Sequence, residues 1–132
     1  MVSGKQRHLY TALVLLLLFV GQASAFAGGN GTASNPYEIS NVDQLQNMSS
    51  DLDAHYELVS DINASETRNW NDGKGFDPIG GTFSGTLDGQ GYVVEDMFIE
   101  RDFGEVGFIS FLGSAGVVKN IGNKDVNITS VD

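Results

Sequence analysis

The sequence predicts an all-β fold of stacked, parallel passes of short strands, and three observations carry that prediction. Leu58, Phe83 and Phe108 recur at an even spacing of roughly 25 residues, as stacked units do, and Ile62, Leu87 and Leu112 share it. Ser60, Gly85 and Ser110 lie midway between them, so three segments read large–small–large at alternate positions. Only one helical pattern interrupts the strand and turn signals after residue 27. Alternation of this kind marks a strand with one buried face. About three passes of roughly 25 residues would rise ~4.8 Å each, a stub only ~15 Å tall.

Taken in order, residues 1–27 have the layout of a secretory signal peptide. Lys5, Arg7 and His8 form a basic start, Leu9 to Val20 an apolar stretch, and Gly21 to Ala27 a run of mostly small residues. Ala23-Ser24-Ala25 would direct cleavage after Ala25, and Ala25-Phe26-Ala27 cleavage after Ala27. As a helix, that apolar stretch spans about 18 Å against a hydrocarbon core of about 30 Å, too short to remain as an anchor. The chain therefore reads as secreted or displayed at the cell surface, with a β domain over residues 28–132.

Gly28 to Pro36 is rich in turn formers and reads as a flexible lead-in, followed by a short strand at Tyr37-Glu38-Ile39. Ser40 and Asn41 are N-cap residues with Asp43 and Gln44 three positions after each, a capping-box pattern. Val42, Leu45, Met48 and Leu52 then follow helical spacing, which predicts a helix over about 42–52 covering the first end of the core. Tyr56 to Ile62 reads as a strand. Residues 63–81 show no period and form a long excursion. Phe83 to Leu87 is the next strand, Asp88-Gly89-Gln90-Gly91 a tight turn, and Val94, Met97 and Ile99 inward positions. Glu100-Arg101-Asp102 reads as a charged turn. Gly107 to Leu112, Val118 with Ile121, and Val126-Asn127-Ile128 complete the pattern, with no capping element after them. Asp88-Gly89 could instead close an antiparallel hairpin, but that leaves the recurrence on both sides unexplained.

Composition narrows function. The 132 residues include no cysteine, so no disulfide can staple the fold. The formal charge is −10, and removing Lys5 and Arg7 with the leader makes it more negative still. Such a surface repels nucleic acid and anionic membrane.

The residues also carry a resemblance. Asn35-Pro36-Tyr37-Glu38-Ile39, Gln44-Leu45-Gln46 and Tyr56-Glu57-Leu58-Val59-Ser60-Asp61-Ile62 are followed by Pro78-Ile79-Gly80 and Phe83-Ser84-Gly85-Thr86-Leu87-Asp88-Gly89-Gln90-Gly91-Tyr92. Val106-Gly107-Phe108-Ile109 comes last. In this order they resemble GLUG-repeat, adhesin-like surface proteins of bacteria and archaea, over about residues 28–130. The resemblance implies a right-handed parallel β-helix, part of a longer exported chain, so that residues 28–132 would be incomplete at their C-terminal end. It implies no catalytic residues. Two departures stand out. The Gly-Leu-Phe-Gly-like segment reads Gly107-Phe108-Ile109-Ser110, and Asn123 falls almost one repeat after Ile99, where the core should be apolar.

Candidate chemistry is sparse. Glycoside cleavage needs two carboxyls within about 5–10 Å. Glu95 and Asp96 are neighbours and would point to opposite faces of a strand; Glu100 and Asp102 flank Arg101 in what reads as a turn. Asp88 and Asp102 are the acids to neutralise if a lyase or hydrolase is to be tested. Residues 71–77 could hold calcium weakly but lack the EF-hand register, and His55 has no partner for a metal site or triad. Neither cofactor nor catalytic residue is expected. Trp70 could stack on a sugar. Asn30, Asn63, Asn47 and Asn127 begin Asn-x-Ser/Thr acceptors for glycosylation. The reading is a non-enzymatic cell-surface β-helical module with an adhesive or structural role; a carbohydrate-binding module is the alternative and a polysaccharide lyase or hydrolase a third. Its partners would be surface glycans or other surface-protein chains, met through an open C-terminal rung.

Overall fold

A computed structural model describes residues 25–102 and 107–131. The leader expected over residues 1–27 lies outside the described residues up to residue 24. The fold is all-β, with one short helix. Its strands are β1 (Tyr37–Ile39), β2 (His55–Leu58), β3 (Ile62–Asn63), β4 (Ile79–Phe83), β5 (Thr86–Asp88), β6 (Val93–Glu95), β7 (Phe98–Asp102), β8 (Ile109–Leu112), β9 (Val117–Lys119), β10 (Gly122–Lys124) and β11 (Asn127–Val131). They form four small sheets, ordered β1-β2-β5-β9, β3-β6-β10, β7-β11 and β4-β8. Every strand pair in them is parallel.

The recurrence is longer than the interval read from the sequence. His55 pairs with Thr86 and Thr86 with Val117, Ile62 with Val94, Phe83 with Leu112 and Ile99 with Ile128. From β2 onward a full pass therefore takes roughly 30 residues, still within the range of stacked repeat units, whereas the first step, Tyr37 to Tyr56, is shorter. The shorter lag compares inward residues of different sheets: Leu58 is in β2, whereas Phe83 ends β4 in another sheet. Each pass carries inward apolar residues on several sides, so a lag one side short of a full pass still matches apolar to apolar. The correct register also reassigns Asn123. It pairs with Val94, and the partner of Ile99 is the apolar Ile128.

The capping box forms as the sequence implies. The Asn41 side chain accepts from the Gln44 amide at 2.9 Å, and the Ser40 amide donates back to Gln44 Oε1 at 2.7 Å. The helix α1 is short, Val42–Gln46, and tightens into a 3-10 turn over Asn47–Ser50. It keeps its apolar face all the same, because Val42, Leu45 and Met48 are buried in the core. Residues 28–36 form an ordered turn, with the Asn30 and Gly31 amides both donating to the Asn35 carbonyl. The hairpin alternative fails, since β5 and β6 lie in different sheets. The tight turn between them is real, and Gln90 (φ 54°) and Gly91 (φ 83°) hold the left-handed conformation it needs. Glu100-Arg101-Asp102 is no turn but the end of β7.

The excursion is tied down by three devices. Thr67, a buried polar residue, donates its hydroxyl to the Ala64 carbonyl at 2.6 Å and accepts the Phe98 amide at 2.9 Å. Its side chain thus stands in for a strand at the edge of β7. Gly75 bridges antiparallel to Ile99, and its φ of 86° brings it where a Cβ would strike the Phe98 carbonyl. Arg101 donates to the carbonyls of Lys74 at 2.6 Å and Phe76 at 3.0 Å.

Candidate functional site

Trp70 follows a 3-10 turn over Ser65–Asn69 and is half-buried, its ring 6.4 Å from that of Phe76 and nearly parallel to it. One side of the indole packs on the core and the other borders a surface groove of about 520 Å³. Asp43, Gln46, Asn47, Ser49, Asn71 and Asp77 line the rest. The groove thus combines one aromatic face with amide, hydroxyl and carboxylate groups, the side-chain types that bind a polyhydroxylated ligand. The sequence singles out Trp70 but none of its polar neighbours, because they come from the helix and the excursion, which are distant in the chain.

Some of those groups are already engaged. The Gln46 side chain donates to the Asp77 carbonyl and accepts the Asp77 amide, both at 2.9 Å. It therefore mimics a strand partner just ahead of β4. Asn47 Nδ2 donates to the Ala25 carbonyl at 3.0 Å. The other glycosylation candidates are held through their oxygens: Asn30 Oδ1 accepts the Thr32 hydroxyl at 2.7 Å, Asn127 Oδ1 that of Thr129 at 3.0 Å, and Asn63 Oδ1 the Ser65 amide at 3.0 Å. All four asparagines are exposed.

The acids fall into a different arrangement from the expected one. Glu38, Glu57, Asp88 and Lys119 occupy one row across β1, β2, β5 and β9. Asp88 is eased by the Gln90 amide at 3.0 Å, by Asn120 at 3.2 Å and by Lys119 at 3.8 Å. Chiefly the Gln90 amide, and then Asn120 and Lys119, hold its carboxyl below the usual carboxylate range. Asp96 is the left-handed corner after β6 (φ 57°), so strand alternation does not govern its direction relative to Glu95. Glu100 and Asp102 lie at alternate positions of β7, on one face. Among the described residues no group of three or more His, Cys, Asp or Glu could hold a metal ion. The 71–77 loop instead closes on itself, Asn71 Nδ2 donating to the Gly75 carbonyl at 2.8 Å. His55 opens β2, opposite Thr86.

The last pass differs from the others. All four sheets end on it, in β8, β9, β10 and β11. Leu112, Val118 and Ile128 sit in register with the buried Phe83, Leu87 and Ile99, yet are 54%, 37% and 41% exposed.

No family model matches the chain, and the likeness to GLUG-repeat proteins rests on the quoted residues. The chain is 36% identical to halomucin of Haloquadratum walsbyi over 84% of its own length and 1% of that protein. It is 38% identical to a protein of Evansella cellulosilytica, named as a Gly-rich membrane protein, over 77% of the chain and 13% of that protein. The chain thus spans a small part of the relatives it matches. Among solved structures, a Bacteroides ovatus protein named as an immunoglobulin A1 protease aligns with a TM-score of 0.63 at 26% identity. The alignment takes in 82% of this chain and 32% of that one. No helix among the described residues is long and apolar enough to cross a membrane.

Proposed function

We propose that this chain is an exported, non-enzymatic segment of a cell-surface protein, with a structural or adhesive role. Its parallel passes are read as rungs of a right-handed β-helix, and residues ahead of the fold as a cleaved leader. The observation that carries the reading is the last pass, where four strand edges and three inward apolar side chains lie open together. An edge of that kind is a template for further strands, and a stack continues by adding a pass in the same register. Relatives far longer than this chain, one named halomucin and another named as a membrane protein, support a surface setting. The occupant of the open pass is another strand-bearing chain segment. Light scattering after size exclusion, on the chain from residue 26 onward at low and high salt, tests this. Association that Leu112→Lys with Val118→Lys abolishes is the expected result; a strict monomer at every concentration overturns the joining role.

The Trp70 groove favours a second reading, carbohydrate binding. Glycan binding lost in Trp70→Ala without a change in melting temperature would support it, and binding unaffected by that substitution would remove it.

A further inference from the structure

The sequence offers two cleavage positions for the leader, after Ala25 or after Ala27, and their −3 and −1 residues fit equally well. The folded chain distinguishes them. Phe26 is part of the core, only 7% exposed. Its ring stacks on Tyr37 with centroids 4.4 Å apart and meets Tyr56 at 5.5 Å. These rings begin an aromatic column that continues from Tyr56 to Phe83 at 6.3 Å. Just after Phe26, the Ala27 amide donates to the Glu38 carbonyl at 2.9 Å and the Gly28 carbonyl accepts the Glu38 amide at 2.8 Å. The segment so formed lies antiparallel along β1 and covers the first edge of its sheet. Cleavage after Ala27 would remove the ring and the first of these two bonds, uncovering Tyr37 and Tyr56. Cleavage after Ala25 keeps all of it. Among the described residues, Ala25 contributes its carbonyl, which accepts from Asn47 Nδ2.

We infer that the leader is removed between Ala25 and Phe26, so that the mature chain begins with a buried phenylalanine. The inference rests on the reading that residues ahead of the fold are a leader. The step is hydrolysis by a signal peptidase: water adds across the Ala25–Phe26 amide, Ala25 departs with the new carboxylate, and Phe26 keeps the new α-amino group. With the Ala25 carbonyl gone, Asn47 Nδ2 loses its acceptor. Asn47 lines the Trp70 groove, so processing also releases a hydrogen-bond donor there.

Intact mass and N-terminal sequencing of the full chain, after export from a host with a signal peptidase, decide the matter. Phe26 as the first residue is the expected result. Gly28, or any other new first residue, overturns the inference while leaving the leader reading intact; an uncleaved chain starting at Met1 overturns the leader reading itself. Variants supply a second arm. Ala25→Leu places a large side chain at the −1 position and should block processing, whereas Ala27→Leu should leave it unchanged. Cleavage after Ala27 would make both variants fail to process, Ala25 being its −3 residue. As a third measurement, a chain starting at Gly28 should melt at least ~10 °C below one starting at Phe26; equal melting temperatures would remove the structural ground for the inference.

Discussion

The two ends of the stack are made of similar strands and finished in opposite ways. At the first end, the edges of three of the four sheets are covered without any added strand. Residues 27–28 run antiparallel along β1, Gly75 and the Thr67 hydroxyl cover β7, and Gln46 meets the backbone of Asp77 just ahead of β4. At the last end, β8 to β11 have no further partner among the described residues, and inward side chains meet solvent. Closing a parallel stack therefore takes a few side chains that imitate backbone, and these can come from loops and helices. An unpaired strand edge invites other chains, so closure at one end alone gives the module a direction.

The widest contrast lies within a single column. Phe83 and Leu112 are register partners, one buried and the other half exposed. Phe83→Ala should cost about 3–5 kcal/mol in urea denaturation, and Leu112→Ala about 1 kcal/mol or less. Equal costs would mean that the last pass is covered in solution, and the contrast between the ends would break. Next in size is Thr67→Val, which leaves the Phe98 amide without its acceptor at the closed edge, while the Ala64 carbonyl keeps the Thr67 amide, and should cost about 2 kcal/mol by the same measurement. Gln46→Ala removes two hydrogen bonds to the Asp77 backbone and one to the Ser49 hydroxyl at a partly exposed site, and about 1 kcal/mol is expected. The smallest effect concerns acid. The carboxyl of Asp88 titrates lower in the fold than in the unfolded chain. Its contribution is present above the unfolded value of about 4 and is lost as pH falls through the folded one. Asp88→Asn should therefore lower the melting temperature slightly at pH 7, where the contribution is present, and the difference from the parent chain should vanish in thermal melts as pH falls well below about 4.

Local features are legible in the sequence and long-range ones are not. The capping box over Ser40, Asn41 and Gln44 is readable because its partners are near neighbours in the chain. The inward positions of Leu58, Phe83 and Leu87 are readable because alternation survives any choice of register. The step between passes is not, since only pairing fixes which of several apolar sides is stacked on which. Arg101 reads as a turn residue because charge in short segments suggests solvent; its guanidinium in fact binds carbonyls contributed by the excursion, far back in the chain. Trp70 stands out by its rarity, but the polar wall facing it consists of ordinary surface residues until the excursion folds back. The buried Thr67 leaves no sequence signal at all, because its role is to replace a strand that is not there.

Closure at one end also limits the symmetry available to copies of this chain. Head-to-tail association, which builds rings or open filaments, requires each copy to offer two different surfaces, one at either end. Gln46, Gly75 and the residues following Phe26 occupy most of one of them. Two copies can still meet with their open passes face to face, about a two-fold axis that reverses the strands across the junction. Such a contact consumes the open edges of both copies, so copies joined in this way form a pair and not a filament.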